Sequence, residues 1–270
     1  MPYRHAWIFI SVLIAVAIFA FWRSYFGILP DAPAGFHIHG LTASLWMLLL
    51  LLQSWTPHHG KISLHRLAGR AAFVAVPLFA AGSMGVIHSM AAATAGGNPF
   101  YALWGTPLAF IDWLAFGAVL HAAGMALRHR HDVRLHSSYM LSTALPLISP
   151  VLGRTINQTV PGLTIHGPQD FPVFGWGAQL ANLIAALIAL WLWRRDPRAG
   201  RPWMVMLAVI GVQIVGFQTL ATSATWRRIS AAVGEQPLAL LVTIGFALGM
   251  VTVWIGWTSA SRRGGRQSAG

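Results

Sequence analysis

Stretches of apolar residues recur along this chain, separated by short segments that carry most of its charge. A membrane hydrocarbon core takes about 20 helical residues. Runs of that scale fall at 6–22, 38–55, 67–88, 107–127, 137–152, 175–193, 203–221 and 237–257. The pattern predicts an all-α polytopic transmembrane bundle of about eight helices, forming a single transmembrane domain over residues 1–270. The fifth run is short and holds Pro146 and Pro150, which break or kink a helix; Pro77 predicts a bend in the third. Two long connections are expected on one side, Ser89 to Gly105 and Thr155 to Phe174. Loops of that length are often lids or re-entrant segments.

Lys and Arg orient the bundle. With eight crossings, one side holds Arg4, Lys61, Arg66, Arg70, Arg128, Arg130, Arg134, Arg194, Arg195, Arg198, Arg201, Arg262, Arg263 and Arg266. The other side holds Arg23, Arg154, Arg227 and Arg228. By the positive-inside rule the rich side is cytoplasmic, which places both termini in the cytoplasm. The expected location is a bacterial inner membrane, crossed many times.

Composition agrees with this reading. Charged residues make up 9% of the chain and the mean hydropathy is +0.61, too apolar to cover a soluble surface. Thirteen Trp suit membrane interfaces. The net charge of +12 reads as topology signal and lipid-headgroup contact, and nucleic acid is not an expected partner. Cysteine is absent, which excludes thiolate ligands and covalent Cys-x-x-Cys-His haem attachment. The first apolar run ends in Phe19-Ala20-Phe21-Trp22-Arg23, where signal peptidase needs small residues, so it is expected to be a retained anchor.

The candidate chemistry lies in twelve histidines that share the chain with six carboxylates. Neutral imidazole is a good ligand for iron, copper and zinc, and axial His recurs in haem sites. The predicted topology sorts the histidines by depth. His37 and His39 open the second helix on the outer side, His88 closes the third and His166 sits in the outer loop. Asp112 is expected near the outer end of the fourth helix. His58, His59, His65, His129, His131 and His136 lie at the inner face. His121 precedes Arg128 by seven residues, about 10 Å inside the boundary. His39 and His88 are expected at one outer depth. His65 and His136 are expected at one inner depth, with His121 a turn or two deeper.

His39, His65, His88, His121, His136 and Arg154 therefore form the candidate cofactor set, with Arg154 able to bind a haem propionate bidentately. An alternative outer metal site would use His37, His39, His88, Asp112 and His166. Neither His-x-x-x-His nor His-Glu-x-x-His occurs. Each histidine also has a plain structural role open to it, a hydrogen bond to a neighbouring helix. Asp112 has two readings, a proton relay or second-shell group and an interfacial or Arg154-paired residue. Arg154 has two as well, anion binding and helix capping.

The middle of the chain carries a set of motifs. His37-Ile38-His39-Gly40 leads through Ala43 and Trp46 to Gln53. Gly60 and His65-Arg66-Leu67-Ala68-Gly69-Arg70 follow. His136-Ser137-Ser138-Tyr139-Met140 and Pro150-Val151-Leu152-Gly153-Arg154 close the stretch. This resembles a family of predicted bacterial membrane proteins of unknown function. Its members share a His-Gly helix opening, a His-Arg-x-x-Gly entrance, a later His-x-x-x-Met and a closing Arg. The resemblance covers helices two to five, about 36–154, and implies a four-helix core with His39, His65, His136 and Arg154 as matching polar positions. It implies no activity.

The leading expectation is a membrane redox protein holding non-covalent b-type haem or a His-bound Fe, Cu or Zn. It would move electrons across the membrane with a quinone or redox partner. The alternatives are a transporter or proton-handling protein, a metal-dependent membrane enzyme, and an assembly factor without catalysis.

Overall fold

The computed structural model describes residues 2–259. Arg262, Arg263 and Arg266, counted above as topology signals, lie outside them. Among the described residues there are ten α-helices and no strand. They are α1 (Ala6–Phe21), α2 (Ala34–Trp55), α3 (Ile62–Ala95), α4 (Pro99–Arg128), α5 (Val133–Ser142), α6 (Leu145–Thr159), α7 (Phe174–Arg195), α8 (Arg201–Gln218), α9 (Ala224–Gly234) and α10 (Leu238–Thr258). Six helical stretches are long and apolar enough to cross a membrane, those containing α2, α3, α4, α7, α8 and α10. α1 is apolar but shorter, at 16 residues.

The weak fifth run is a broken helix. α5 stops at Ser142, and α6 restarts at Leu145 with Pro146 in its first turn, where a missing N–H costs nothing. Trp46 of α2 braces the break by donating its indole N–H to Thr143 Oγ1 at 3.2 Å.

Two boundaries differ from expectation, and both matter for the site. Residues 89–105 are not a long loop. The Ala-rich segment after His88 extends α3 to Ala95, since Ala is the best helix former. Asn98 then caps α4 by accepting from the N–H groups of Phe100 and Tyr101, with Pro99 in the first turn. His88 thus lies seven residues before its helix end, rather than closing it. Asp112 lies about 20 Å along a helix of about 45 Å, near its middle rather than its outer end.

Small residues set the close contacts. Gly35 of α2 rests on Gly85 and Ser89 of α3, and Gly82 rests on Thr42 and the His39 backbone. Gly245 and Gly249 of α10 approach Ala80 and Pro77 of α3, where an added Cβ would meet Ala80 O and Pro77 Cα at 2.5 Å. In lipid such packing replaces the hydrophobic drive between helices.

One end of the bundle gathers Tyr3, the α2–α3 and α4–α5 junctions, the starts of α5 and α8 and the end of α10. Tyr3 hydrogen-bonds Ser138 at 2.8 Å and accepts from Trp203 Nε1 at 3.1 Å. Arg130 donates to the Trp257 carbonyl at 2.8 Å, and Arg134 pairs with Asp196 at 3.7 Å. This is the Arg-rich end. At the opposite end Trp104 donates to the Phe171 carbonyl and Trp226 to that of Thr106.

Candidate functional site

At the Arg-rich end the junctions enclose a cavity of about 510 Å³. Ligand pockets generally span about 300–1,000 Å³. Its walls are mostly apolar, from Leu49 and Leu50 of α2, Phe73 of α3, Met140 and Leu141 of α5 and Trp257 of α10. Into it come His65 from the first turn of α3 and His136 from the first turn of α5. These side chains are 71 positions apart in the chain, yet close enough to interact electrostatically. Arg66 and Arg70 stand an i, i+4 step apart on α3 at the same cavity, both exposed and neither in an ion pair among the described residues.

The tautomers of the two histidines follow from their neighbours. His136 Nδ1 lies 2.9 Å from the carbonyl oxygen of Ala126, which can only accept. His136 Nδ1 therefore carries the proton. Thr56 Oγ1 gives its single proton to the Leu52 carbonyl at 2.8 Å, so towards His65 Nδ1, at 3.4 Å, it can only accept. His65 Nδ1 is protonated as well. The backbone carbonyl of Gln53 is a further acceptor for the His65 ring. On the Nδ1–H assignment, Nε2 is the unprotonated nitrogen of each ring. A ligand imidazole has this arrangement, one nitrogen oriented by an outer partner and the other free to coordinate. Gln53 adds a brace by donating to the His65 carbonyl at 3.1 Å.

The other predicted positions are elsewhere. His39 packs against Phe79, with ring centroids 6.3 Å apart. His88 donates Nε2–H to the Gln236 carbonyl at 2.9 Å, turning towards the α9–α10 junction rather than towards His39. His121 is exposed, 6.2 Å from the Tyr139 ring. His37 Nδ1 hydrogen-bonds the Tyr25 hydroxyl at 3.0 Å. His166 is exposed, and its backbone N–H donates to Asp170. Among the described residues no three His, Asp or Glu side chains converge as a metal-holding group. Arg154 sits on α6, donates to the Pro150 carbonyl at 3.2 Å and lies 4.4 Å over the Phe21 ring. It lines a second, smaller cavity together with Asp112. The predicted cofactor set thus divides. His65 and His136 share one cavity, while Arg154 belongs to another part of the bundle.

Thr56, Gln53 and His58 are cavity or supporting residues that the sequence reading did not assign to the site. Thr56 is neutral and follows no motif, so only its contacts reveal it, and Gln53 lies in the motif stretch but its neutral side chain gives no sign of the contact it makes. Comparisons with known protein families, with curated proteins and with solved structures found no match.

Proposed function

We propose that this chain is a multi-pass membrane redox protein that binds a non-covalent b-type haem between His65 and His136. The observation that carries this reading is the pair of imidazoles in one largely apolar cavity, each with Nδ1 engaged by a neighbour. The cavity's size suits a cofactor rather than a single ion. Arg66 and Arg70 would meet propionate carboxylates at the rim, since guanidinium binds carboxylate bidentately. The haem iron would supply one-electron chemistry. The protein's part would be to hold the group with the His65 and His136 imidazoles, to exclude water with Phe73, Leu49 and Met140, and to balance the propionate charge with Arg66 and Arg70.

The topology belongs to the same proposal. α1, α2, α3, α4, the α5–α6 pair, α7, α8 and α10 make eight crossings, with α9 at the Arg-poor end. The positive-inside rule then places the His65–His136 cavity at the cytoplasmic face of a bacterial plasma membrane. A cytoplasmic reductant or a membrane quinone would be the electron partner.

The test is an optical spectrum of the detergent-purified protein, oxidised and then reduced with dithionite. A Soret band with sharp reduced α and β bands is expected, and it should be lost in His65→Ala and in His136→Ala. Unchanged haem content in both variants would overturn the assignment.

A further inference from the structure

The second cavity lies near the middle of α4, about 20 Å along the helix from Ala126, which orients His136. Asp112 of α4, Ser149 and Arg154 of α6 and Asn182 of α7 line it. Three observations set it apart from ordinary packing. Asn182 is fully buried, and neither its amide oxygen nor its amide nitrogen has a hydrogen-bond partner. Asp112 neither accepts a hydrogen bond nor forms an ion pair among the described residues, although Arg154 lines the same space. The cavity holds about 30 Å³, enough for about two water molecules.

Asn182 is fully buried and Asp112 partly so; an amide left dry in a protein interior costs several kcal/mol, and a carboxylate without a partner costs more the less water reaches it. Water is the partner that fits the space and satisfies all the groups. It can donate to Asp112 and to the Asn182 oxygen, and accept from the Asn182 nitrogen and from Arg154. A cation would face the guanidinium, and an anion would face the carboxylate. We infer that Asp112, Asn182 and Arg154 form a hydrated proton-binding site inside the bundle, with Asp112 as the group that takes up and releases the proton.

The step is a simple exchange. A proton passes along the cavity water to an Asp112 oxygen, forming an O–H bond, and the site's charge rises by one. Release is the reverse. The charged and titratable groups around Asp112 are few. Arg154 approaches from α6 and interacts in turn with His39 of α2. Tyr101 precedes Asp112 on α4 itself. From α7 and α8 the nearby groups are amides, Asn182 and Gln213, and Gln213 is occupied in donating to the Ile111 carbonyl at 2.9 Å.

The experiment is infrared difference spectroscopy of the full-length protein in detergent, titrated with pH in H₂O and D₂O. The protonated-carboxyl C=O absorption should contain a component that titrates apart from the other five side-chain carboxyls, shifts in D₂O and is missing in Asp112→Asn. In Asn182→Leu, which keeps the side-chain size but removes both amide atoms, its midpoint should rise by about one pH unit or more, because the carboxylate loses its water. A wild-type carboxyl absorption that Asp112→Asn leaves unchanged at every pH would overturn the proposal. So would an Asn182→Leu midpoint equal to that of the wild type, or the lack of any such band at every pH where the protein stays folded. His65→Ala should leave the band in place, so this test stands apart from the haem assignment.

Discussion

At the residue scale, the Thr56 hydroxyl stands between the Leu52 carbonyl and the His65 ring. Thr56 has a single proton and gives it to Leu52, and this forces it to act as an acceptor towards His65. Thr56→Val keeps the shape of the side chain and removes that acceptor. The Gln53 backbone carbonyl would then be the remaining acceptor for the His65 ring. Losing an outer partner of a ligand histidine typically costs about 10–100-fold in affinity. Haem affinity measured by titrating apoprotein should fall by that order in Thr56→Val, while the fold is kept. An unchanged affinity would show that the orientation of His65 does not depend on Thr56. That His65 and His136 lie at the same end of the bundle was legible in the sequence, because both stand beside clustered Arg at the start of an apolar run. Thr56 and Asn182 were not, because a neutral polar residue in a helix looks the same whether it faces a neighbour, a ligand or nothing.

At the scale of elements, the pairing of α2 with α3 rests on residues without side chains. A Cβ on Gly35 would overlap the Gly85 carbonyl oxygen and Ser89 Oγ. Gly85 O is backbone, so relief requires the two helices to separate. Gly35→Ala should therefore destabilise the protein by about 1–3 kcal/mol, the usual cost of overpacking. A thermal melt in detergent should show a lower midpoint, and an equal or higher one would mean the helices separate at no cost. Apolar run length located α1, α7, α8 and α10 to within three residues. It missed the extensions of α3 to Ala95 and of α4 back to Pro99. Ala, Thr and Gly in that stretch are too weakly hydrophobic to register as a span, yet Ala favours the helix and Asn98 supplies a cap. That boundary error moved Asp112 from the apparent rim to the interior.

At the scale of the whole molecule, the direction of the bundle can be checked directly, because the chain has no cysteine of its own. Lys61 and Gln169 are both exposed, at opposite ends of the bundle. In intact cells, Gln169→Cys should react with a membrane-impermeant maleimide, and Lys61→Cys should react only after the membrane is opened. The reverse pattern would invert the bundle and place the His65–His136 cavity on the outer side. The distribution of Arg also explains why this protein forms so few ion pairs. Arg134–Asp196 is the one pair among the described residues. With eighteen cations against six carboxylates, most of the basic residues must look to lipid headgroups or to carbonyls, as Arg130 does at the end of α10.

The sequence by itself determined the all-helical, membrane-spanning class, since only stretches that satisfy their own backbone hydrogen bonds can sit as long apolar runs in lipid. It also determined which residue types could do chemistry, and it grouped His65 with His136, which the structure brings to one cavity. Which of those residues meet was decided by the tertiary structure alone. Depth is read from distance along the chain, but partnership depends on how each helix is rotated, and small-residue contacts such as Gly35 on Gly85 set that rotation. The same rotation that turns His88 towards Gln236 and leaves His121 exposed brings His65 and His136 into one cavity and sets Asp112 beside Asn182 and Arg154.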